Sequence, residues 1–132
     1  MMFRLSKRSL SRLDGVHPDL VEVVKLAITL TEVDFGVTEG VRTVDRQREL
    51  LRAGASRTMN SRHIPGTDGL GKAVDLVAYI GAEVRWDWPL YHQIADAMKR
   101  AANALDVPVK WGGDWRTFKD GPHFELCRKR YP

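Results

Sequence analysis

One acidic residue stands inside an otherwise apolar stretch of the sequence. Asp75 lies between Val74 and Leu76 in the run AVDLVAYI, which covers residues 73–80 and has the composition of a buried strand. An ionised carboxylate in apolar surroundings is costly unless a cation or strong hydrogen-bond donors compensate it. The pattern therefore predicts that Asp75 has a cationic partner.

Four histidines could supply metal ligands beside this carboxylate. His63 and His123 each lie where a loop rich in Gly and Pro meets a strand, a place where functional groups are commonly presented. His17, at a helix entry, is explained by capping or packing, and His92 by a surface position on a helix. Two neutral imidazoles and one carboxylate suit a hydrolytic zinc ion, which keeps one position for water. His63, Asp75 and His123 are thus a candidate zinc site.

Hydrolysis at such a site also needs a group that takes a proton from water and returns it. A carboxylate that does not bind the metal suits this task. Asp120 lies in the turn before His123, and Glu125 lies two residues after His123 in a candidate strand. The spacing leaves the choice between these two carboxylates open.

The elements that must position these groups alternate between helix and strand. A stripe of apolar residues predicts a helix from about Pro18 to Thr31, and residues 43–54 and 88–105 predict two more. Residues 34–43 indicate a strand leading into a turn, and residues 55–72 indicate a loop. Short candidate strands at 107–115 and 121–127 join the strand at 73–80. We therefore predict an α+β fold with a small, largely antiparallel sheet flanked by about three helices.

Composition narrows the classes of protein that fit. The 132 residues suit one domain, residues 1–132, with a core at about 14–126 after a basic segment at 1–13. A single cysteine excludes an internal disulfide, and no apolar run fits a secretory signal or a membrane span. The net charge of +4 favours an anionic partner. A nucleic-acid binder is the weakest alternative, because no recognised binding motif accompanies the charge.

Three separated motifs occur in a fixed order: SRH at 61–63, GKAVD at 71–75 and DGPH at 120–123. Together they resemble the zinc peptidases that cleave bacterial peptidoglycan, which comprise D-Ala-D-Ala carboxypeptidases and dipeptidases and phage L-alanyl-D-glutamate endopeptidases. The similarity runs from about residue 15 to residue 126 and includes EGVRT upstream and WGGDW between the last two motifs. It implies a fold of the hedgehog and DD-peptidase type.

The resemblance also implies roles for individual residues. Zinc would be bound by His63, Asp75 and His123. Asp120, rather than Glu125, would be the general base.

Two further residues have roles implied by the same resemblance. Arg42 would stabilise the oxyanion or the substrate carbonyl, and Ser61 would line the substrate subsite. From the residues alone, Arg42 would instead form a salt bridge with Glu39 or Asp45.

The chain departs from the family pattern between the first two motifs. Seven residues separate His63 from Gly71, where the family usually has about two. We interpret the residues around 66–70 as an inserted loop, because extra loop length costs little entropy. Asp68 in this loop is a minor alternative ligand.

These observations predict a phage-type endolysin: a monomeric zinc peptidase that hydrolyses the peptidoglycan stem peptide between L-Ala and D-Glu. It would be made in the host cytoplasm without a signal peptide and reach the wall through a holin-type lesion. Neither nucleic acid nor stable membrane insertion is expected. The alternatives are a D-Ala-D-Ala carboxypeptidase of the same fold and a zinc-stabilised binding module without turnover.

Overall fold

The computed structural model describes residues 2–56 and 58–132. Its helices are α1 (Lys7–Arg12), α2 (Pro18–Leu30), α3 (Val44–Arg52) and α4 (Trp88–Leu105), with a short 3₁₀ turn at Gly112–Asp114. Its strands are β1 (Asp34–Glu39), β2 (Ala73–Ile80), β3 (Glu83–Arg85), β4 (Val109–Trp111) and β5 (His123–Leu126). The predicted α+β class is confirmed.

The strands form one antiparallel sheet in the order β1-β2-β5-β4, and β3 pairs with the end of β2. The central strand β2 therefore has β1 on one side and β5 on the other. Its register places Asp75 opposite His123 of β5 and opposite Glu39 of β1. A bulge between Val37 and Glu39 shifts the register of β1 at that point. Three segments far apart in the sequence thus meet beside Asp75.

The hydrophobic core lies on one face of this sheet. Helices α2 and α4 pack against each other and against inward side chains of the strands, which include Val74, Leu76 and Phe124. Since side chains alternate along a strand, Asp75 and His123 point to the opposite face. The core therefore packs against one face of the sheet, and the candidate site lies on the other.

Local signals explain where α2 begins. The His17 ring accepts a hydrogen bond from the backbone N–H of Asp19 through Nδ1, at 3.1 Å, and Pro18 occupies the first helical position. The expectation that His17 caps a helix is confirmed.

His92 lies exposed on α4, as expected, with its ring against Trp111.

Two elements, α1 and β3, were not predicted, and a 3₁₀ turn at Gly112–Asp114 replaces the second half of the strand predicted at 107–115. Helix α1 forms in the basic N-terminal segment, where the Ser9 hydroxyl accepts the backbone N–H of Val37 at 2.9 Å. The Arg12 guanidinium donates to the carbonyl of the same Val37. The other addition is β3, which pairs with the end of β2. In the described part of the chain, no helix is both long enough and apolar enough to cross a bilayer.

Candidate metal centre and cleft

Asp75, His63 and His123 come together at one point above the sheet. The His63 Nε2 and His123 Nδ1 atoms each lie 3.2 Å from Asp75 Oδ1. All three potential ligand atoms lie within 4.8 Å of one another. Both histidines are buried, and Asp75 is half-buried. The sequence-predicted group of three is therefore assembled by the fold.

The hydrogen bonds on the far side of each ring decide which nitrogen is available. His63 Nδ1 lies 2.7 Å from the carbonyl oxygen of Gly40, which can only accept, so Nδ1 carries the proton. His123 Nε2 lies 2.8 Å from Glu125 Oε1 and likewise donates to it. When a ring is neutral, its remaining nitrogen has a lone pair that points toward Asp75 Oδ1. Three electron-pair donors converge on one point.

This arrangement fits a bound metal ion. A tetrahedral zinc ion with bonds near 2.0–2.1 Å holds its ligand atoms about 3.3 Å apart, and the two distances of 3.2 Å from Asp75 Oδ1 agree. The donors on the far sides of the rings are the outer contacts that orient ligating histidines in metal proteins. The donor set of two imidazoles and one carboxylate suits zinc in charge and in chemical type.

Without a metal, protons must satisfy the same atoms. Burial lowers the pKa of His123, but hydrogen bonds to Asp75 and Glu125 outweigh it and raise this pKa to about 9. Burial raises the pKa of Asp75, but hydrogen bonds from His123 and His63 hold it well below the usual aspartate range. A metal ion bound here would therefore displace a proton from His123 at neutral pH, and acid conditions would oppose its binding.

Asp120 lies at the edge of this group. Gly112 brings it there, since the Gly112 carbonyl accepts the Asp120 N–H at 3.0 Å. A Cβ on Gly112 would lie 2.3 Å from the Asp120 carbonyl oxygen, so only glycine allows this approach. Burial raises the pKa of the Asp120 carboxyl, and the negative charge of Asp75 raises it further. The group thus has the proton affinity that a general base needs.

Glu125 has a different environment from Asp120. Its Oε1 atom accepts from His123 Nε2, on the side of the ring away from Asp75. Burial raises the pKa of Glu125, but the hydrogen bond from His123 outweighs this effect and leaves it below the ordinary value. Glu125 therefore orients His123, and its pKa is lowered where that of Asp120 is raised.

Arg42 lies beside Asp75. Its Nε and Nη2 atoms donate to the two carboxylate oxygens of Glu39 at 2.6 and 2.9 Å, and Nη2 lies 3.7 Å from Asp75 Oδ2. The salt bridge to Glu39 considered from the sequence is present, whereas Asp45 pairs with Arg48. Ser61 Oγ accepts from Arg42 Nη1 at 3.4 Å, so the predicted subsite residues lie together.

One cleft of about 600 Å³ contains all of these groups. One of its walls is built by Leu50 of α3 and by four loop residues, Ala55, Ser56, Thr58 and Asn60, and another by the loop that carries Trp115 and Phe118. The Trp115 ring centroid lies 5.1 Å from that of His123. Phe118 has a φ of +49°, an uncommon conformation for a bulky residue. Sequence reasoning missed both aromatic residues, because no periodicity marks a loop.

Gln47 is another functional residue that the sequence did not reveal. Its amide is fully buried, and its Oε1 accepts from Arg42 Nη1 at 2.7 Å. Its Nε2 donates to Ser56 Oγ at 2.8 Å and to the Thr58 carbonyl. A polar residue in a charged helix gives no signal by itself, although a buried position would require such partners.

Arg62 and Arg128 also line the cleft and were missed. The Nη2 atom of Arg62 donates to the carbonyls of Leu126 and Tyr131, which ties the C-terminal segment to the SRH motif. Burial lowers the pKa of Arg62, and the neighbouring positive charge of Arg128 lowers it further. Two guanidinium groups thus lie at the same end of the cleft.

The loop at 66–70, interpreted from the sequence as an insertion, lies away from His63, Asp75 and His123. Asp68 accepts from Lys72 Nζ at 2.7 Å and from the backbone N–H of Leu70 at 3.0 Å. It is therefore engaged within its own loop rather than with His63 and His123. The loop residues 64–70 do not line the cleft.

Comparisons with known proteins assign the family. The family model described as phage L-alanyl-D-glutamate peptidase matches residues 1–127. The L-alanyl-D-glutamate peptidase of Escherichia phage T5 is 30% identical over 135 residues, which cover 99% of this chain and 94% of that protein. The chain therefore belongs to the phage L-alanyl-D-glutamate peptidase family, and the predicted resemblance is confirmed.

Solved structures agree with this assignment. A crystal structure is known for the Serratia marcescens L-Ala D-Glu endopeptidase ChiX, whose sequence is 49% identical to this chain. The two structures have a TM-score of 0.90, and the match covers 99% of this chain and 95% of that one. The vancomycin-resistance D,D-dipeptidase VanXYg is 18% identical, with a TM-score of 0.50 over 84% of this chain and 50% of that one. The second similarity concerns the fold alone, and it confirms the predicted DD-peptidase type.

Proposed function

We propose that this protein is a zinc endopeptidase that hydrolyses the bond between L-Ala and D-Glu in the stem peptide of bacterial peptidoglycan. The observation that carries the proposal is the convergence of His63, Asp75 and His123, each oriented so that a lone pair faces one point. The identity of the scissile bond is inferred from membership of the family. We further propose that residues 1–132 act as one catalytic domain and as a monomer.

In this proposal His63, Asp75 and His123 hold one zinc ion. When bound, zinc supplies a Lewis acid that polarises the scissile carbonyl and lowers the pKa of water. Glu125 and the Gly40 carbonyl hold the two imidazole rings in the tautomers that ligation requires. Ligand geometry is thus fixed before any substrate arrives.

Asp120 is the proposed general base. It accepts a proton from the attacking water as the new C–O bond forms, and it returns that proton to the D-Glu nitrogen as the C–N bond breaks. The raised pKa of its carboxyl favours the first transfer. Its position beside His63, Asp75 and His123 keeps the distance for proton transfer short.

Arg42 is proposed to stabilise the negative charge that develops on the carbonyl oxygen. Glu39 and Gln47 hold its guanidinium from two sides, so the group does not have to reorganise during the reaction. Ser61, which accepts from Arg42, is proposed to line the substrate subsite.

The proposed place of action is the cell wall, reached from the host cytoplasm through a holin-type lesion. The phage relative supports this proposal. The net charge of +4 suits the anionic polymers of a bacterial envelope.

Metal removal tests the proposal. We expect about one zinc ion per chain after purification, complete loss of peptidoglycan hydrolysis in excess chelator, and recovery when zinc is restored. Zinc content by elemental analysis and hydrolysis by loss of turbidity are the measurements. Full activity in excess chelator, with no metal detected, would contradict it.

A further inference from the structure

We infer that Arg62 and Arg128 form a carboxylate subsite that binds the free carboxylate of the D-glutamyl residue on the leaving side of the scissile bond. The inference rests on the proposed function and adds a determinant of specificity to it. Both arginines line the same cleft as the three proposed ligands, at the end where Glu125 lies.

The Arg62 side chain has more donors than partners. It is only 10% exposed, and two backbone carbonyls accept from its Nη2 atom. Its buried Nε has no hydrogen-bond partner in the part of the chain that the structure describes. The Glu125 carboxylate is 3.9 Å away, beyond hydrogen-bonding distance. A buried guanidinium with an unused donor indicates that an acceptor is missing from this end of the cleft.

The charges at this end do not balance. Glu125 already accepts from His123 at 2.8 Å, so its negative charge is shared between an imidazole and the Arg62 guanidinium. The Asp68 carboxylate also acts on Arg62, but it is paired with Lys72 at 2.7 Å. Arg128 adds a second positive charge at the rim, where its Nη2 donates to the Asn60 carbonyl at 3.3 Å. An anion placed between the guanidinium groups would relieve their repulsion, with Arg62 supplying a fixed charge and Arg128 the contact.

The substrate carries a suitable anion in a suitable place. A glutamyl residue has two carboxyl groups, and only one of them can be joined to the next residue of the stem. The other remains a free carboxylate on the residue whose nitrogen leaves. A guanidinium recognises such a group through charge-assisted, often bidentate hydrogen bonds. When this carboxylate is converted to an amide, the charge and one acceptor oxygen are lost.

A pair of muropeptides tests the subsite. One contains D-Glu with its free carboxylate and the other contains the amide, D-isoglutamine. The measurement is the ratio of kcat/KM for the two substrates, with each product identified by mass. We expect the zinc-loaded protein to prefer the carboxylate by about 10- to 100-fold, the effect of one charge-assisted hydrogen bond.

Variants assign that preference to the two arginines. Arg128→Gln is expected to bring the ratio close to one. Arg130→Gln removes the same charge from the same segment, outside the cleft, and should leave the ratio unchanged. Arg62→Lys keeps the second charge and should retain the preference, whereas Arg62→Gln should lose it.

Each other outcome overturns the inference. A protein without preference for the carboxylate lacks the subsite. An equal loss on both substrates in Arg128→Gln means that the residue is structural, and the same ratio change in Arg130→Gln means that overall charge is responsible. If the protein with its native sequence cuts neither muropeptide between L-Ala and D-Glu, the proposed function fails first and the subsite fails with it.

Discussion

Asp120 and Glu125 are both acidic and both near His123, yet their contacts suit them to different tasks. Glu125 is hydrogen-bonded to the ring of His123, while Asp120 lies near Asp75, His63 and Arg42. We predict that Asp120→Asn keeps zinc near stoichiometric, because three ligands remain, while turnover falls on the order of 10²–10⁴. His123→Ala should lose zinc and activity together.

Zinc content and initial hydrolysis rate, measured on the same preparations, check this assignment. Glu125→Gln is the matched variant, because its amide oxygen can still accept from His123 and only the charge is removed. If Glu125→Gln keeps zinc and loses turnover while Asp120→Asn remains active, Glu125 is the base and the assignment of Asp120 is wrong.

The raised pKa of Asp120 gives a second prediction at this scale. A general base works only when ionised, and burial together with the charge of Asp75 keeps Asp120 protonated up to a higher pH than an ordinary aspartate. Activity should therefore rise with pH through an acid limb above 3.8, the ordinary aspartate value. The pH profile of kcat/KM measures it, with the zinc content determined at each pH so that loss of metal is not mistaken for protonation of Asp120. An acid limb at or below 3.8 would contradict this role.

At the scale of elements, α3 is attached to the rest of the protein in an unusual way. Most helices dock through an apolar face, but among the described residues of α3 only Gln47 is buried. Its amide joins Arg42 to the loop residues Ser56 and Thr58. One polar side chain therefore connects the proposed oxyanion-binding residue with a wall of the cleft.

Replacing this amide should loosen both partners. We predict that Gln47→Leu destabilises the protein by about 1–3 kcal/mol, since Arg42 loses an acceptor and the loop loses its donor. Gln47→Glu restores the acceptor toward Arg42 and should retain more activity than Gln47→Leu. Urea unfolding and hydrolysis rates provide the comparison, with Arg48→Gln on the exposed side of α3 as the control. A Gln47→Leu protein as stable and active as the parent would refute the role.

The elements that could be predicted are those with a strong local pattern. A single window of sequence is enough to recognise the apolar stripe of α2, that of α4 and the apolar run of β2. Helix α1 does not, because its six residues are held by contacts with β1, which is distant in the sequence. Strand β3 is three residues long and depends on pairing with β2.

Some parts of the candidate site could likewise be predicted from the sequence, and others could not. Motif order pointed to His63, Asp75 and His123, because each lies in a motif with a fixed spacing. Their orientation depends on the register between β2 and β5 and on outer contacts such as the Gly40 carbonyl, which no local pattern encodes. The cleft walls come from loops, so Trp115 became visible only in three dimensions.

At the scale of the whole molecule, packing and chemistry occupy opposite faces of one sheet. Helices α2 and α4 bury one face, and the hydrophobic cluster that they form with the strands contains none of the three proposed ligands. Substitutions at the ligands should therefore leave the helical side of the core intact. The other face holds the cleft, which is lined by charged and polar side chains.

The bond that is cut is the central claim about the whole molecule, and mass analysis of digested muropeptides tests it most directly. Purified peptidoglycan, treated with zinc-loaded protein, should release stem peptides that begin with D-Glu and leave glycan that retains only L-Ala. The Asp120→Asn protein serves as the control and should release far less. Loss of a single terminal D-Ala, with the bond between L-Ala and D-Glu intact, would contradict the account and identify a carboxypeptidase instead.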